Sequence, residues 1–71
     1  MTFGNKIQNR REELRLTQQE IAQRTRLSQG YVSRVEKDIC IPKATTLLVF
    51  ALALEMPYTE LLAYTEERSV V

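Results

Sequence analysis

The sequence predicts an all-α domain built from five short helices. Three observations predict it: apolar residues recur three, four or seven positions apart, helix-capping residues precede several of these patterns, and no segment alternates between apolar and polar residues as a strand would. A chain of 71 residues is enough for one domain with a single small core. We therefore expect the five helices to pack around one core.

The first helix is expected from about Thr2 to Leu14. Ile7 and Leu14 are seven residues apart, which places them on one helical face, and Phe3 is near the same stripe. Arg11 also falls near this stripe, where its aliphatic stem can lie along the core. The inner face of this helix is therefore predicted to mix large apolar residues with one arginine.

Two more short helices follow in the middle of the chain. Thr17 and Glu20 form a capping-box pattern, so the second helix is expected to begin near Gln18. Ser28 is the next N-cap, which places the third helix at about residues 29–37. The residues expected to face the core are Ile21, Ala22, Thr25, Val32 and Val35, with Leu27 in the turn.

The last two helices are separated from the third by an extended linker at residues 39–42, because Pro42 disfavours helix at the residue before it. The fourth helix is expected from Lys43 or Ala44 to Glu55, and a short fifth helix from Tyr58 to about residue 64. The inward residues of the fourth helix are predicted to be Leu47, Phe50, Ala51 and Leu54. The domain is expected to span residues 1–66, with a flexible tail at 67–71.

Composition argues against an enzyme or a metalloprotein. There is no histidine, and the single Cys40 has neither a disulfide partner nor a histidine base, so we expect no catalytic residue, metal or other cofactor. The longest apolar run is the eight residues from Leu47 to Leu54, too short for a membrane span, and the N-terminus lacks the apolar segment of a signal peptide. A cytoplasmic location is the expectation.

Charge is distributed unevenly along the chain. Residues 1–37 hold eight basic and four acidic groups, whereas residues 38–71 hold two basic and five acidic groups. A cationic half suggests contact with a polyanion, although charged helices are more often simply solvated. The asymmetry is therefore a weak indication of nucleic-acid binding.

The middle of the chain resembles the helix-turn-helix of phage repressor and Cro proteins, the lambda repressor-like or XRE family. The residues LRLTQQEIAQRTRLSQGYVSRVEK carry the resemblance, and it continues through Pro42, a leucine-rich helix and the closing YTELL to cover about residues 5–64. It implies the five-helix lambda repressor-like DNA-binding domain, with the helix-turn-helix at helices two and three. The third helix, residues 28–37, would enter the major groove of double-stranded DNA.

Two positions depart from the family pattern. The turn position usually held by glycine is Arg26, where a left-handed conformation costs roughly 1–2 kcal/mol. Either this turn is built differently, or Arg26 accepts the strain and gains a phosphate contact. The glycine that often follows the third helix is replaced by Asp38, which tolerates left-handed geometry better than most residues.

The outward face of the third helix has side chains suited to reading bases. Gln29 can pair with adenine and Arg34 with guanine through two hydrogen bonds each, while Gly30 and Ser33 keep the helix slim enough to approach base edges. Arg34 has an alternative role as a partner of Glu20, of Glu36 or of a neighbouring helix. We expect base reading by Gln29, Gly30, Ser33 and Arg34.

Phosphate contacts are expected around this helix. The resemblance implies that Gln18, at the start of helix two, holds a phosphate and braces Gln29. Tyr31 has two open roles, contact with DNA or packing on the protein, and for each cation the alternative is a solvated surface side chain. The expected phosphate contacts are Gln18, Arg11, Lys6, Arg24, Arg26, Ser28, Tyr31 and Lys43.

An apolar stripe predicts a protein interface. Val49 lies opposite the core face of helix four, and large apolar residues continue beside it. We expect a homodimer interface formed by Val49, Leu52, Met56, Tyr58 and Leu62. The alternative is that helix five or the tail residues Val70 and Val71 cover this stripe.

The leading functional hypothesis is a sequence-specific, DNA-binding transcriptional regulator, more specifically a repressor that binds a palindromic operator as a dimer. The alternative is a protein-interaction module, an antitoxin or controller whose apolar surface on helices four and five binds a protein partner. The chain resembles small stand-alone regulators, and a further possibility is that it is one domain of a longer regulator. No enzymatic activity, small-molecule ligand or membrane partner is indicated.

Overall fold

The computed structural model describes the backbone of residues 2–69 and the side chains of residues 2–63. This part of the chain holds five α-helices and no strand. The helices are α1 (Phe3–Glu13), α2 (Gln18–Thr25), α3 (Gln29–Glu36), α4 (Ala44–Ala53) and α5 (Tyr58–Ser69). The predicted all-α architecture with a helix-turn-helix at α2 and α3 is confirmed.

The helices begin where the capping residues predicted. The Thr17 hydroxyl accepts from the Glu20 amide at 3.1 Å, and the Glu20 carboxylate accepts from the Thr17 amide at 2.8 Å, which completes the capping box. The hydrogen bond from the Thr17 backbone is the largest influence that lowers the pKa of Glu20 below its ordinary value of 4.5. Ser28 caps α3 through a 3.1 Å bond from the Tyr31 amide.

The ends of the later helices differ from their predicted positions. α4 ends at Ala53 rather than at Glu55, because the backbone of Glu55 turns left-handed with φ 54°. α5 continues to Ser69, well past its predicted end near residue 64. Its backbone therefore enters the segment expected to be a tail, of which residues 70 and 71 lie outside the described residues.

Helices α1 to α4 all end in a left-handed residue that is not glycine. Their φ values lie between 54° and 61°, and the residues are Arg15, Arg26, Asp38 and Glu55. In each case the amide of the next residue donates to a carbonyl five positions earlier, at 2.9–3.0 Å, as in the Schellman motif. Arg26 therefore accepts the left-handed conformation, so the turn is not built differently, while its phosphate contact stays a prediction.

The core is formed by every helix. Most predicted core residues are fully buried, including Phe3, Ile21 and Phe50, while Leu14 is only partly buried at its edge. Leu61 of α5 is completely buried although its sequence pattern did not single it out. Leu61 thereby fixes α5 against the rest of the domain.

Gly4 lets α1 lie directly against the end of α3. A Cβ at this position would stand only 2.3 Å from the Glu36 carbonyl oxygen and 2.8 Å from that of Val35. The Gly4 amide also donates to the Asp38 carboxylate at 2.9 Å. These contacts fix the C-terminal end of α3 against the N-terminus of α1.

Two arginines close the C-terminal end of α4. Arg10 of α1 donates to the carbonyl oxygens of Leu54 and Glu55 at 2.9 and 3.1 Å. Arg24 of α2 donates to the carbonyl of Ala53 at 3.2 Å and pairs with Glu55 at 3.6 Å. Carbonyls at a helix C-terminus carry a negative partial charge, so cations are favoured there. Part of the cationic character of the first half therefore serves contacts within the fold.

Candidate nucleic-acid interface

Helix α3 divides cleanly into an inner and an outer face. Val32, Val35 and Glu36 are buried and hold the helix against the domain. The residues that point away are Ser28, Gln29, Gly30 and Arg34, all exposed, and the partly exposed Ser33. The structure thus brings all four predicted base-reading residues onto one accessible surface, which we call the outer face of α3.

Nothing in the fold requires glycine at position 30. A Cβ there would meet only the Arg34 Nη1 atom, at 3.7 Å, which is an ordinary van der Waals contact. Glycine in a helix interior lowers stability by about 1 kcal/mol relative to alanine. A close approach by another molecule gives this position a reason to lack a side chain.

Arg34 has no carboxylate partner in the described part of the chain, although the sequence offered two. Glu20 is engaged in the capping box, and Glu36 is bound by other residues. The Arg34 guanidinium instead lies 6.0 Å from the centre of the Tyr31 ring. Its hydrogen-bond donors therefore remain available for an external acceptor.

Tyr31 is partly buried and packs against the core, so of its two expected roles the structure provides packing on the protein. Burial is the largest influence that raises the pKa of its hydroxyl above 10.0, and the nearby Cys40 side chain acts in the same direction. The positive charge of Arg34 acts in the opposite direction. The ring of Tyr31 is thus held between the core and Arg34.

Glu36 is the centre of a buried polar cluster that joins three helices. Its carboxylate accepts from Arg11 Nε at 2.7 Å, from the second Arg11 nitrogen at 3.1 Å and from Gln18 Nε2 at 2.9 Å. The Glu36 and Arg11 side chains are only 3% and 12% exposed, and the hydrogen bond to Glu36 is the main reason that the pKa of Arg11 is raised. Arg11, Glu36 and Gln18 form what we call the Glu36 cluster.

The Glu36 cluster changes how two predicted contacts are understood. Arg11 also donates to the carbonyl of Leu16 at 2.8 Å, so its guanidinium is committed to bonds within the protein. Gln18 donates its amide to Glu36, and no hydrogen bond joins it to Gln29 among the residues described. The role that the structure gives both side chains is to fix α1 and α2 against α3.

The other predicted phosphate contacts fall into two groups. Lys6 pairs with Glu60 at 3.4 Å, and Arg24 is bound at the end of α4, so both have partners inside the protein. Arg26 and Lys43 are exposed and form no ion pair within the part of the chain that the structure describes. These two cations are therefore available to an external anion.

Lys37 was not singled out from the sequence, although it belongs with the outer face of α3. It caps the C-terminal end of α3, is exposed, and has no ion-pair partner among the described residues. Its spacing from Ser33 and Gly30, four and seven residues, places it on their side of the helix. That spacing is the signal by which it would have been found.

The predicted dimer stripe is only partly accessible. Leu52 is 73% exposed, whereas Met56, Tyr58 and Leu62 pack partly against the core of their own domain. Leu48, which the sequence did not single out, is 48% exposed and lies one turn from Leu52. We call Leu48, Val49 and Leu52 the apolar patch of α4.

The described residues contain no cluster of three or more metal-ligating side chains. None of the described helices has the length and apolar character needed to cross a membrane.

The chain was also compared with known proteins. Residues 7–61 match a protein-family model described as helix-turn-helix, a range that runs from α1 into α5 and includes the whole of α2 and α3. No curated protein matches the chain.

Proposed function

Because the chain belongs to the Cro/C1-type (XRE) family of helix-turn-helix DNA-binding regulators, we propose that it represses transcription by binding a palindromic operator as a homodimer. In this proposal residues 28–37 lie in the major groove and α2 crosses the sugar–phosphate backbone above them. A bound dimer would then block access to the DNA around its operator.

The outer face of α3 is the observation that carries the proposal. Its polar side chains are exposed, while the inner face of the same helix is buried in the core. A surface that served only solubility would not need a glycine that the fold itself does not require. A slim, hydrogen-bonding helix is what the major groove admits.

The base-reading roles follow from side-chain chemistry. Gln29 presents a donor and an acceptor that match adenine N6 and N7, and Arg34 presents two donors that match guanine O6 and N7. Gly30 and Ser33 allow the backbone of α3 to approach the bases. Each pair of matched hydrogen bonds discriminates against a wrong base by about 1–3 kcal/mol.

Phosphate binding is assigned first to the cations that form no ion pair among the residues that the structure describes. Arg26 in the turn before α3 and Lys43 before α4 are exposed cations, and Ser28 lies at the start of α3. Gln18 lies at the N-terminus of α2, where free amides and the helix dipole favour an anion. Lys6, Arg11 and Arg24 would first have to exchange an internal partner.

The experiment that tests DNA recognition is selection of binding sites from random DNA, followed by titrations with Gln29→Ala. We expect the variant to lose base preference at one position of each half-site, by about 5- to 150-fold, because one bidentate contact is removed. Lys43→Ala is the matched control, and it should weaken binding to all sequences and reduce the salt slope by about one. Recovery of no preferred sequence with the unchanged protein would contradict the proposal.

The homodimer is proposed from the apolar patch of α4 together with α5. A two-fold dimer presents two copies of α3, which match the two halves of a palindrome when they are about 34 Å apart. We expect Leu52→Glu to shift the protein toward monomer in sedimentation equilibrium and to weaken operator binding, because it places a charge in the contact. Asn5→Glu, at an exposed position of α1 outside the proposed contact, is the control for the oligomeric state. A wild-type protein that stays monomeric at high concentration would contradict the dimer.

The exposed leucines also favour a second candidate, a protein partner such as the toxin of an antitoxin pair or the target of a controller. Leu48 and Leu52 would serve a heterologous contact as well as a symmetric one. If the protein is a monomer that binds its operator selectively, and Leu52→Glu leaves its DNA affinity unchanged, the patch is better explained as a site for a protein partner. A dimer disrupted by that change would favour the first.

A further inference from the structure

The guanidinium of Arg34 lies over the N-terminal half of α3. Its Cζ atom is 6.0 Å from the centre of the Tyr31 ring, and its Nη1 atom lies 3.7 Å from the position a Gly30 Cβ would occupy. Gly30 and Tyr31 precede Arg34 by four and three residues, and long side chains on helices lean toward the N-terminus. Two neighbours one turn upstream therefore define where the Arg34 head group lies.

This place is electrostatically unfavourable for a free cation. The first turn of a helix carries a positive partial charge, which repels a guanidinium, and no described carboxylate pairs with Arg34. The face of the Tyr31 ring next to it attracts a cation, an interaction worth about two- to fivefold in an equilibrium at an exposed site. Tyr31 can provide a fixed ring because it is itself partly buried against the core.

We propose that Tyr31 is a positioning residue for Arg34: its ring holds the guanidinium over Gly30, where the donors of Arg34 face guanine in a base pair next to the one that Gln29 reads. The inference rests on the proposed function. Arg34 then meets its base already oriented, and less conformational freedom is lost on binding. Tyr31 acts through Arg34 and adds no base contact of its own.

A double-mutant cycle on the selected operator and on operators with single base changes tests the inference. Arg34→Ala should remove the base preference at one position, a preference of about 5- to 150-fold in the unchanged protein. Tyr31→Leu should reduce that same preference about two- to fivefold, whereas Tyr31→Phe should retain it because the ring remains. In a protein that already carries Arg34→Ala, adding Tyr31→Leu should have no further effect on the preference. The salt slope of Tyr31→Leu should equal that of the unchanged protein.

A measurement without DNA completes the test. Proton resonances of the Arg34 side chain should be shifted upfield by the ring in the unchanged protein and in Tyr31→Phe, and should lose this shift in Tyr31→Leu. Thermal unfolding of each variant, read in parallel, shows whether it is folded. If Tyr31→Leu unfolds, the upfield shift of the Arg34 resonances in the unchanged protein and in Tyr31→Phe still tests the contact, and its absence from both would contradict the inference.

Four further outcomes would overturn the inference, and they differ from one another. If Arg34→Ala loses the base preference while Tyr31→Leu retains it, Tyr31 does not position Arg34 and the proposed function stands. If Tyr31→Leu weakens all sequences equally, Tyr31 acts on phosphate or on stability. If Arg34→Ala weakens all sequences and lowers the salt slope by about one, Arg34 binds phosphate. If no preferred sequence exists for the unchanged protein, the proposed function fails together with the inference.

Discussion

At the scale of single residues, the two glycines of this chain have opposite roles. Gly4 is required by the fold, because backbone carbonyls of α3 occupy the space of any side chain. Gly30 is not required by the fold, since only a flexible arginine lies near it. The same residue type thus marks a contact inside the protein at one position and an open surface at the other.

We expect alanine at these two positions to change stability in opposite directions. Gly4→Ala should lower the free energy of unfolding by about 2–3 kcal/mol, because α1 must move away from the end of α3. Gly30→Ala should raise the free energy of unfolding by up to about 1 kcal/mol, because alanine favours helix, and it should weaken DNA binding by obstructing the approach of the backbone. Urea unfolding and a DNA titration measure both effects. A Gly30→Ala protein that binds DNA normally would show that close approach to DNA does not explain glycine at position 30.

Much of the residue-scale picture was predictable, and the rest depended on long-range contacts. The exposed positions of α3 follow from helical spacing within eight residues. The partners of Arg11, Arg24 and Lys6 do not, since each bond joins residues 25 to 54 positions apart. A sequence pattern shows that a cation is present, but only the packing of the helices shows whether an acceptor inside the protein lies within hydrogen-bond distance of it.

At the scale of elements, helix starts were easier to predict than helix ends. Thr17, Ser28 and Thr2 accept hydrogen bonds from backbone amides three positions ahead, a relation that short spacing reveals. α1 and α4 are followed by the left-handed residues Arg15 and Glu55, where the usual glycine signal is missing. Their left-handed geometry is accompanied by packing of the apolar residues that follow, Leu16 and Met56, against the core.

We expect glycine to stabilise such a helix end. Arg15→Gly should raise the free energy of unfolding by about 1 kcal/mol, because Arg15 has φ 58° and forms no ion pair among the described residues. Glu12→Gly, three residues earlier and inside α1, is the matched control and should lower it by about 1 kcal/mol. Thermal or urea unfolding compares the two variants. Equal destabilisation by both would show that position 15 carries no strain.

At the scale of the whole molecule, polar contacts tie distant helices together around the apolar core. The Glu36 cluster joins α1, α2 and α3, and Arg10 and Arg24 join α1 and α2 to the end of α4. The uneven charge of the two halves of the chain is explained in part by these contacts. Residues 1–37 supply cations to carbonyls and carboxylates of the second half, including Glu55 and Glu60.

We expect the buried Arg11–Glu36 pair to be strongly coupled. Arg11→Met alone should lower the free energy of unfolding by about 3 kcal/mol, because it leaves the Glu36 carboxylate buried without its main partner. Arg11→Met combined with Glu36→Leu should recover most of that loss, since two apolar residues can fill the same space. Urea unfolding of the single and double variants measures the coupling. Additive losses would contradict a direct pairing.

The division of α3 into two faces has a consequence for how such a protein changes its target over time. The inward side chains fix the helix in place, whereas the side chains of Gln29, Ser33 and Arg34 form no hydrogen bond or ion pair among the described residues. Under the proposed function, exchange of a few exterior positions, Gln29 and Ser33 foremost, would redirect the molecule to a new DNA sequence while the fold stays the same. New DNA specificities would then arise from substitutions on the outward side of α3 alone, with the core unchanged.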